Sequence, residues 1–164
     1  MAGDRLGILL DLDDTLVLTS RLEPLRVRRA WPAVYAAFSE TDLPPGTREF
    51  VASLLRHGDA GVVTSAPRTY AERLLAHHGL VLPVLVAYHD TARHKPLPDP
   101  LLEGARRLGV LPERCVHIGD AGTDDQAARA AGMASIRVAW GVPPTGEASS
   151  WAEVLTRVSA LGPQ

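Results

Sequence analysis

The stretch Leu6-Gly7-Ile8-Leu9-Leu10-Asp11-Leu12-Asp13-Asp14-Thr15-Leu16 decides how the chain is read. An apolar run that stops at an acid reads as a strand buried on both faces, as in a parallel sheet. Its acids then lie just past the carboxyl end of the strand, where open parallel sheets bind ligands. A calcium loop would need a third acid or Asn, then Gly, and a closing Glu. Thr15 and Leu16 stand there instead, so that reading falls away.

Outward from this stretch, strand-like and helix-like segments alternate. Ala60–Thr64, Val84–Tyr88, Cys115–Ile118 and Ser135–Ala139 read as four further strands. Helices are expected over Thr47–His57 (stopped by Gly58), from Pro67 to about His77, and over Pro100–Leu108, Thr123–Ala131 and Ser149–Leu161. Glu23–Ser39, interrupted by Pro32, reads as one kinked helix or two short ones. Leu43-Pro44-Pro45-Gly46 is a turn, and Pro143-Pro144-Thr145-Gly146 a loop. Strands separated by helices require crossovers. The expectation is therefore an α/β fold: a three-layer, Rossmann-like domain with a mostly parallel five-stranded sheet and a short helical insertion after strand one. It would span 1–164 as a single domain, with 17–43 as the insertion.

Composition narrows the function classes. The 164 residues are 46% hydrophobic, enough for a real core, and carry a formal net charge of -2. That balance gives no basic face for nucleic acid. Arg21, Arg26, Arg28 and Arg29 do form a local basic cluster, read as a solvated helix face. The single cysteine, Cys115, excludes an intramolecular disulfide and reads as a buried thiol. No secretory signal and no membrane span are expected, and the setting is taken as cytoplasmic.

The polar residues cluster at strand ends. Asp11 and Asp13 follow strand one, and Thr64 and Ser65 end strand two. His94 and Lys95 lie after strand three, and Asp120 and Asp124 after strand four. Carboxylates brought to one rim repel unless protonated or matched by a cation. Hard oxygen ligands suit a divalent ion, and magnesium is the usual choice beside a phosphate. Lys95 adds one more positive charge, and the combination suits a phosphoryl group.

These residues resemble the haloacid dehalogenase-like hydrolases. Asp11-Leu12-Asp13-Asp14-Thr15 is similar to the family's first motif, and Val62-Val63-Thr64 to its second. Lys95-Pro96 is similar to the third, and Gly119-Asp120-Ala121-Gly122-Thr123-Asp124 to the fourth. The resemblance covers nearly the whole chain except 17–43. It implies a Mg2+-dependent phosphatase acting on phosphate monoesters, with Asp11 as the nucleophile that forms an aspartyl-phosphate. It makes Asp13 the general acid and base, places Thr64 and Lys95 on the phosphoryl group, and assigns the metal to Asp11, Asp120 and the backbone carbonyl of Asp13. Asp124 would support the metal from behind. Asp14 stands where many relatives have glycine and is expected to be exposed and uninvolved. An acid at Asp13 argues against a dehalogenase or a transport ATPase. A phosphomutase, or another phosphotransferase of the family, and a catalytically silent binding subunit remain alternatives.

Other residues carry plainer readings beside sharper ones. Ser65 and Arg68 are candidate substrate contacts; Thr64-Ser65 could equally be a helix cap, and Arg68 a surface arginine. His89 and His94 read as solvated loop residues. Trp31, Tyr35 and Phe38 read as packing, with recognition as the rival, because they fall in the insertion. That insertion is too short for a full helical cap. It implies a minimal lid, and a phosphorylated substrate that is either a small metabolite or an exposed phosphate on a macromolecule. A homo-oligomer that closes the site is compatible with the same reading.

Overall fold

The computed structural model describes residues 5–57, 59–141 and 146–161. Five strands form one sheet: β1 (Gly7–Leu10), β2 (Asp59–Val63), β3 (Val84–Val86), β4 (Cys115–Gly119) and β5 (Ala134–Arg137). Their order is β3-β2-β1-β4-β5, and every pairing is parallel. Leu10 stands opposite Val62 on one side and Ile118 on the other.

The continuous apolar character of β1 follows from its central place, with both faces covered. Ile8 and Leu10 point into one core with Val62, Val116 and Ile118. That core is closed by α3 (Thr47–His57), α4 (Arg68–His77) and α7 (Trp151–Ala160), through Phe50, Tyr70, Leu74, Trp151 and Val154. Leu9 points the other way, onto Leu101 and Ala105 of α5 (Asp99–Leu108) and Ala127 and Ala128 of α6 (Gly122–Ala130). The approach of α5 is close: a Cβ on Gly104 would lie 2.9 Å from Leu9 Cδ2. The sheet with a helical layer on each face is the expected three-layer fold.

Insertion 17–43 forms two short helices, α1 (Glu23–Val27) and α2 (Trp31–Ala36), bracketed by 3-10 turns at Ser20–Leu22 and Phe38–Glu40. Pro32 does not make the break. It sits in the first turn of α2, where its missing N–H is no loss. The chain bends at Arg29 instead, whose φ is +54°. Left-handed backbone in a non-glycine residue costs about 1–3 kcal/mol, so the surrounding packing must hold it. Leu22, Val34 and Phe38 provide that hold, all buried in the main core.

Strand β3 is shorter than the sequence implies. Its pairing ends at Val86, and Tyr88–Asp90 turn as a 3-10 helix. Helix α7 starts one residue past Ser150, whose hydroxyl accepts the Glu153 N–H at 3.2 Å. Gly58 and residues 143–145, read as a helix stop and as most of a loop, lie outside the described residues. No helix among the described residues is long and apolar enough to cross a membrane.

The order of the sheet fixes where a site can form. From β1 the chain builds outward to β2 and β3, then crosses back to place β4 on the opposite side of β1. The crevice at such a reversal, beyond the carboxyl ends of the strands, is where ligands bind in this architecture.

Candidate active site

Asp11 is the first residue past β1. Its N–H donates to the Ile118 carbonyl at 2.9 Å, continuing the β1–β4 ladder one step and fixing the backbone that carries the carboxylate. Lys95 reaches this carboxylate from the loop after β3. Its Nζ donates to Asp11 Oδ1 at 3.0 Å, to the Val63 carbonyl at 3.1 Å and to Asp124 Oδ1 at 2.7 Å. An ammonium has three hydrogens. All three are spent on protein acceptors here, so Lys95 is first a clamp that joins the ends of β1 and β2 to α6. Burial alone would lower the proton affinity of this amine, but Asp11 and Asp124 outweigh it and raise it above the ordinary lysine value.

Asp120 follows β4, and Asp124 lies one turn on in α6. Gly119, the last residue of β4, has a strict reason: a side chain there would run into the Asp124 carboxylate. Thr15 Oγ1 donates to Asp120 Oδ1 at 3.1 Å. Both Asp124 oxygens are engaged. Oδ1 also faces His117 Nε2 at 3.1 Å, and Oδ2 accepts the Ala121 N–H at 3.1 Å. Burial opposes the ionised form of Asp124, but His117 and Lys95 win and hold its carboxyl well below the usual range. His117 is wholly buried, and its Nδ1 lies 3.0 Å from the Leu9 carbonyl. Burial pushes its proton affinity down, against the pull of Asp124.

Asp13 faces a different set of partners. Thr19 Oγ1 donates to its Oδ1 at 2.8 Å, and the Tyr70 hydroxyl to the same oxygen at 2.6 Å. Arg26 straddles the carboxylate, with Nη1 3.0 Å from Oδ1 and Nη2 3.2 Å from Oδ2. Burial pushes the Asp13 carboxyl above the ordinary aspartate value, and Arg26, Tyr70 and Thr19 restrain the rise. The basic cluster is thus not simply a solvated face: Arg26 turns inward, with 22% of its side chain exposed. Asp14 is half-buried rather than exposed. Its φ is +55°, a conformation that aspartate tolerates better than most residues, and its Oδ1 accepts from the Thr19 and Ser20 backbone and from the Ser20 hydroxyl.

Of the residues singled out in the sequence, the structure brings Asp11, Lys95, Asp120 and Asp124 into one cluster, with Asp13 at its edge facing the insertion. Thr64 is buried at the end of β2. Its Oγ1 accepts the Ala66 N–H at 3.0 Å, closing a local turn and leaving its own hydrogen to donate elsewhere. Neither Thr64 nor Ser65 caps α4, which begins at Arg68 after Pro67. Ser65 is exposed on the wall of a cleft. Arg68 is not brought to the carboxylates. Its guanidinium is bound to Asp90, Glu72 and the Leu85 carbonyl, because the first turn of α4 lies over the end of β3. Tyr70, Thr19 and His117 were not singled out in the sequence, and Thr15 was quoted within the first motif without a role of its own. Only His117, a polar residue inside an apolar strand, left a signal there.

The aromatic residues of the insertion divide by role. Phe38 is buried and meets Tyr70 edge-on at 5.8 Å between ring centres. Trp31 packs on Tyr70 at 6.0 Å and also lines an open cleft of about 610 Å3. The cleft runs between the insertion and the Thr64–Pro67 turn. Arg26, Arg29, Ser65 and His89 contribute to its wall.

The donor set fits a hard divalent cation. Asp11, Asp120 and Asp124 each place one oxygen so that all lie within 4.8 Å of one another. Burial, with repulsion from Asp124 and other nearby acids, raises the Asp11 and Asp120 carboxyls even with Lys95 beside Asp11. Three acids facing one lysine is a charge imbalance that a cation removes. Asp124 is already committed to Lys95, His117 and Ala121, so Asp11 and Asp120 have oxygens to give. The carboxylate of Asp13 lies outside this cluster.

The chain belongs to the haloacid dehalogenase-like hydrolases: the family model matches residues 31–132. That match takes in Thr64, Lys95, Asp120 and Asp124, while Asp11 and Asp13 precede it. A phosphoglycolate phosphatase from Xylella fastidiosa is 45% identical over 83 residues, which are 49% of this chain and 36% of that protein. A phosphoglycolate phosphatase from Salmonella typhimurium is 33% identical over 125 residues, 73% of this chain and 50% of that protein. The chain thus matches half or less of the length of these relatives. Among solved structures, a hydrolase from Pseudomonas syringae superposes with a TM-score of 0.79 at 18% identity, covering 97% of this chain and 100% of that one. At that identity the likeness is one of fold.

Proposed function

We propose that this chain is a Mg2+-dependent phosphatase that hydrolyses phosphate monoesters through an aspartyl-phosphate on Asp11. The observation that carries the reading is the pairing of Asp11 with Lys95 at 3.0 Å beside an Asp120 oxygen close enough to share a cation. Folding alone gains nothing from buried like charges at one rim.

A carboxylate oxygen of Asp11 attacks phosphorus as the bond from phosphorus to the leaving oxygen breaks. Asp13 gives its proton to that oxygen, so an alcohol departs. Asp13 then takes a proton from water as the water attacks the aspartyl-phosphate, which frees inorganic phosphate and restores Asp11. A carboxyl raised by burial suits both halves of this exchange. Thr64 donates to a phosphoryl oxygen. Lys95 holds Asp11 in line and meets the incoming charge. Bound magnesium would offset the acid cluster and draw charge from the phosphoryl oxygens.

In this reading the chain is one domain in a cytoplasmic setting, with 17–43 as a minimal lid. The relatives' activity on phosphoglycolate favours a small phosphorylated metabolite over a macromolecule. A mutase is disfavoured, because an aspartyl-phosphate under so short a lid is open to water. The deciding experiment is phosphate release from a panel of phosphate esters with Mg2+, with Asp11→Asn as control. Release abolished by that substitution supports the reading. Equal release from both proteins sinks it, and phosphoryl transfer between sugars without release makes the chain a mutase.

A further inference from the structure

We propose that Trp140 is a positioning residue for the metal site: acting through Thr15, it sets the side chain of Asp120. The inference rests on the phosphatase reading and adds to it a residue that acts on a metal ligand at one remove.

Trp140 follows β5 on a loop fastened to the sheet. The Val138 N–H donates to the Gly119 carbonyl at 2.9 Å, and the Ala139 N–H to the Ala148 carbonyl at 3.0 Å. Trp151 backs the indole at 4.7 Å between ring centres, and is itself stacked on Phe50 at 4.1 Å. The ring is therefore held from behind, and its N–H, which can only donate, has a fixed aim. It donates to the Thr15 carbonyl at 3.0 Å, across 125 positions of sequence.

Thr15 is wholly buried in the turn just past Asp13. Its two polar ends have separate tasks. The carbonyl takes Trp140, and the hydroxyl donates to Asp120 Oδ1 at 3.1 Å. A shift of the Thr15 peptide would carry the hydroxyl with it. Held at Oδ1, the Asp120 carboxylate is restrained from turning, and one of its oxygens stays in the cluster with Asp11 and Asp124. Arg137, three residues before Trp140, donates through Nε to the Asp120 carbonyl at 3.2 Å. The end of β5 and its loop thus grip Asp120 twice: at the backbone directly, and at the side chain through Thr15. Partners that orient a metal ligand from behind commonly govern about tenfold or more of the affinity.

The same aromatic stack supplies a control. Trp151 Nε1 donates at 2.7 Å to Thr47 Oγ1 rather than to the Thr15 turn. Trp151→Phe therefore removes a comparable buried bond without cutting the route to Asp120.

The test is calorimetric titration of the metal-free protein with Mg2+, with the metal-free Tm and phosphate release measured in parallel. Trp140→Phe keeps a ring against Trp151 and removes the donor. Thr15→Val removes the hydroxyl, and Thr15→Ser keeps it. Trp140→Phe and Thr15→Val should each raise the Mg2+ dissociation constant about tenfold. Combined, they should raise it by about the same factor, because both break one chain of contacts; independent effects would multiply to about a hundredfold. Thr15→Ser should stay near the unsubstituted value. Trp151→Phe should lower Tm and leave the dissociation constant unchanged. Unaltered Mg2+ binding in Trp140→Phe, equal weakening in Trp151→Phe, or multiplying effects in the double variant overturns the inference and leaves the phosphatase reading standing. An unsubstituted chain that binds no Mg2+ sinks both. Binding that depends on Trp140 without phosphate release from any ester keeps the positioning role and sinks the phosphatase.

Discussion

The Tyr70 hydroxyl donates to Asp13 Oδ1 over 2.6 Å, joining the first turns of α4 to the loop that follows β1. Tyr70 itself is fully buried, with Trp31 and Phe38 of the insertion packed on its ring. Asp13, the proposed proton shuttle, is thus oriented by a side chain against which the insertion packs.

Tyr70→Phe keeps the ring and removes the donor. Stability should fall by about 1 kcal/mol, the usual net worth of one hydrogen bond. The larger effect is on proton affinity. Tyr70 helps restrain the upward shift that burial imposes on Asp13, so without it the carboxyl rises further. Asp13 then keeps its proton to higher pH, and the alkaline limb of the kcat/KM profile should move upward. A limb that stays in place or moves down would count against Asp13 as the acid.

Asp11 and Asp120 link metal to stability. Their carboxyls are raised in the folded chain, so the unfolded chain, with carboxyls near about 4, gives up its protons first. Their penalty is absent below that pH and grows as pH rises toward the folded values. Without Mg2+, thermal stability should decline as pH rises from about 4 toward neutrality. Mg2+ at ten times its dissociation constant should recover about 1.4 kcal/mol, or roughly 3–6 °C in Tm. Asp11→Asn should raise the metal-free Tm and blunt the response to Mg2+. Differential scanning calorimetry reads both.

Lys95→Met leaves Asp11 and Asp124 buried with no cation between them. Breaking such a pair costs about 3–5 kcal/mol, measurable by urea denaturation. Lys95→Arg should not restore activity. The three acceptors that converge on one nitrogen do not match a planar fork.

His117→Leu removes the group that joins Asp124 to the Leu9 carbonyl. A buried acceptor loses its donor, so a loss of about 1–3 kcal/mol is expected in the same urea experiment. kcat should fall through the loosened Asp124–Lys95 pair, while KM changes little. An unchanged kcat would show that Lys95 needs no support from behind.

The sheet and the acid cluster were legible because strand-end acids follow a rule of position. An apolar run buried on both faces can only be a central strand, and an open parallel sheet binds ligands at one end. Asp11, Lys95, Asp120 and Asp124 fall at those ends in the bare sequence. Tyr70 was not legible, because an aromatic at a helical inner position looks the same whether or not its hydroxyl has a task. Arg26 was hidden for a related reason. Its neighbours Arg21, Arg28 and Arg29 do face solvent, and only the carboxylate of Asp13, thirteen positions earlier, draws one member of the group inward. Arg68 misled by proximity: four residues from Thr64 along the chain, its side chain follows the α4 axis toward β3. Pro32 misled by reputation, since a proline opens a helix as readily as it breaks one.

The central place of β1 bears on how the protein is made. Thr15 and Asp120, in contact when folded, are separated by 105 positions along the chain. A ribosome releases Asp11, the proposed nucleophile, long before β4 exists to pair with it. Until then one edge of β1 stays open, and Asp11 has neither the Ile118 carbonyl nor its acidic neighbours. Assembly of the nascent protein and birth of the reactive centre are therefore a single late event, and any product cut short before Cys115 would be both sticky and inert.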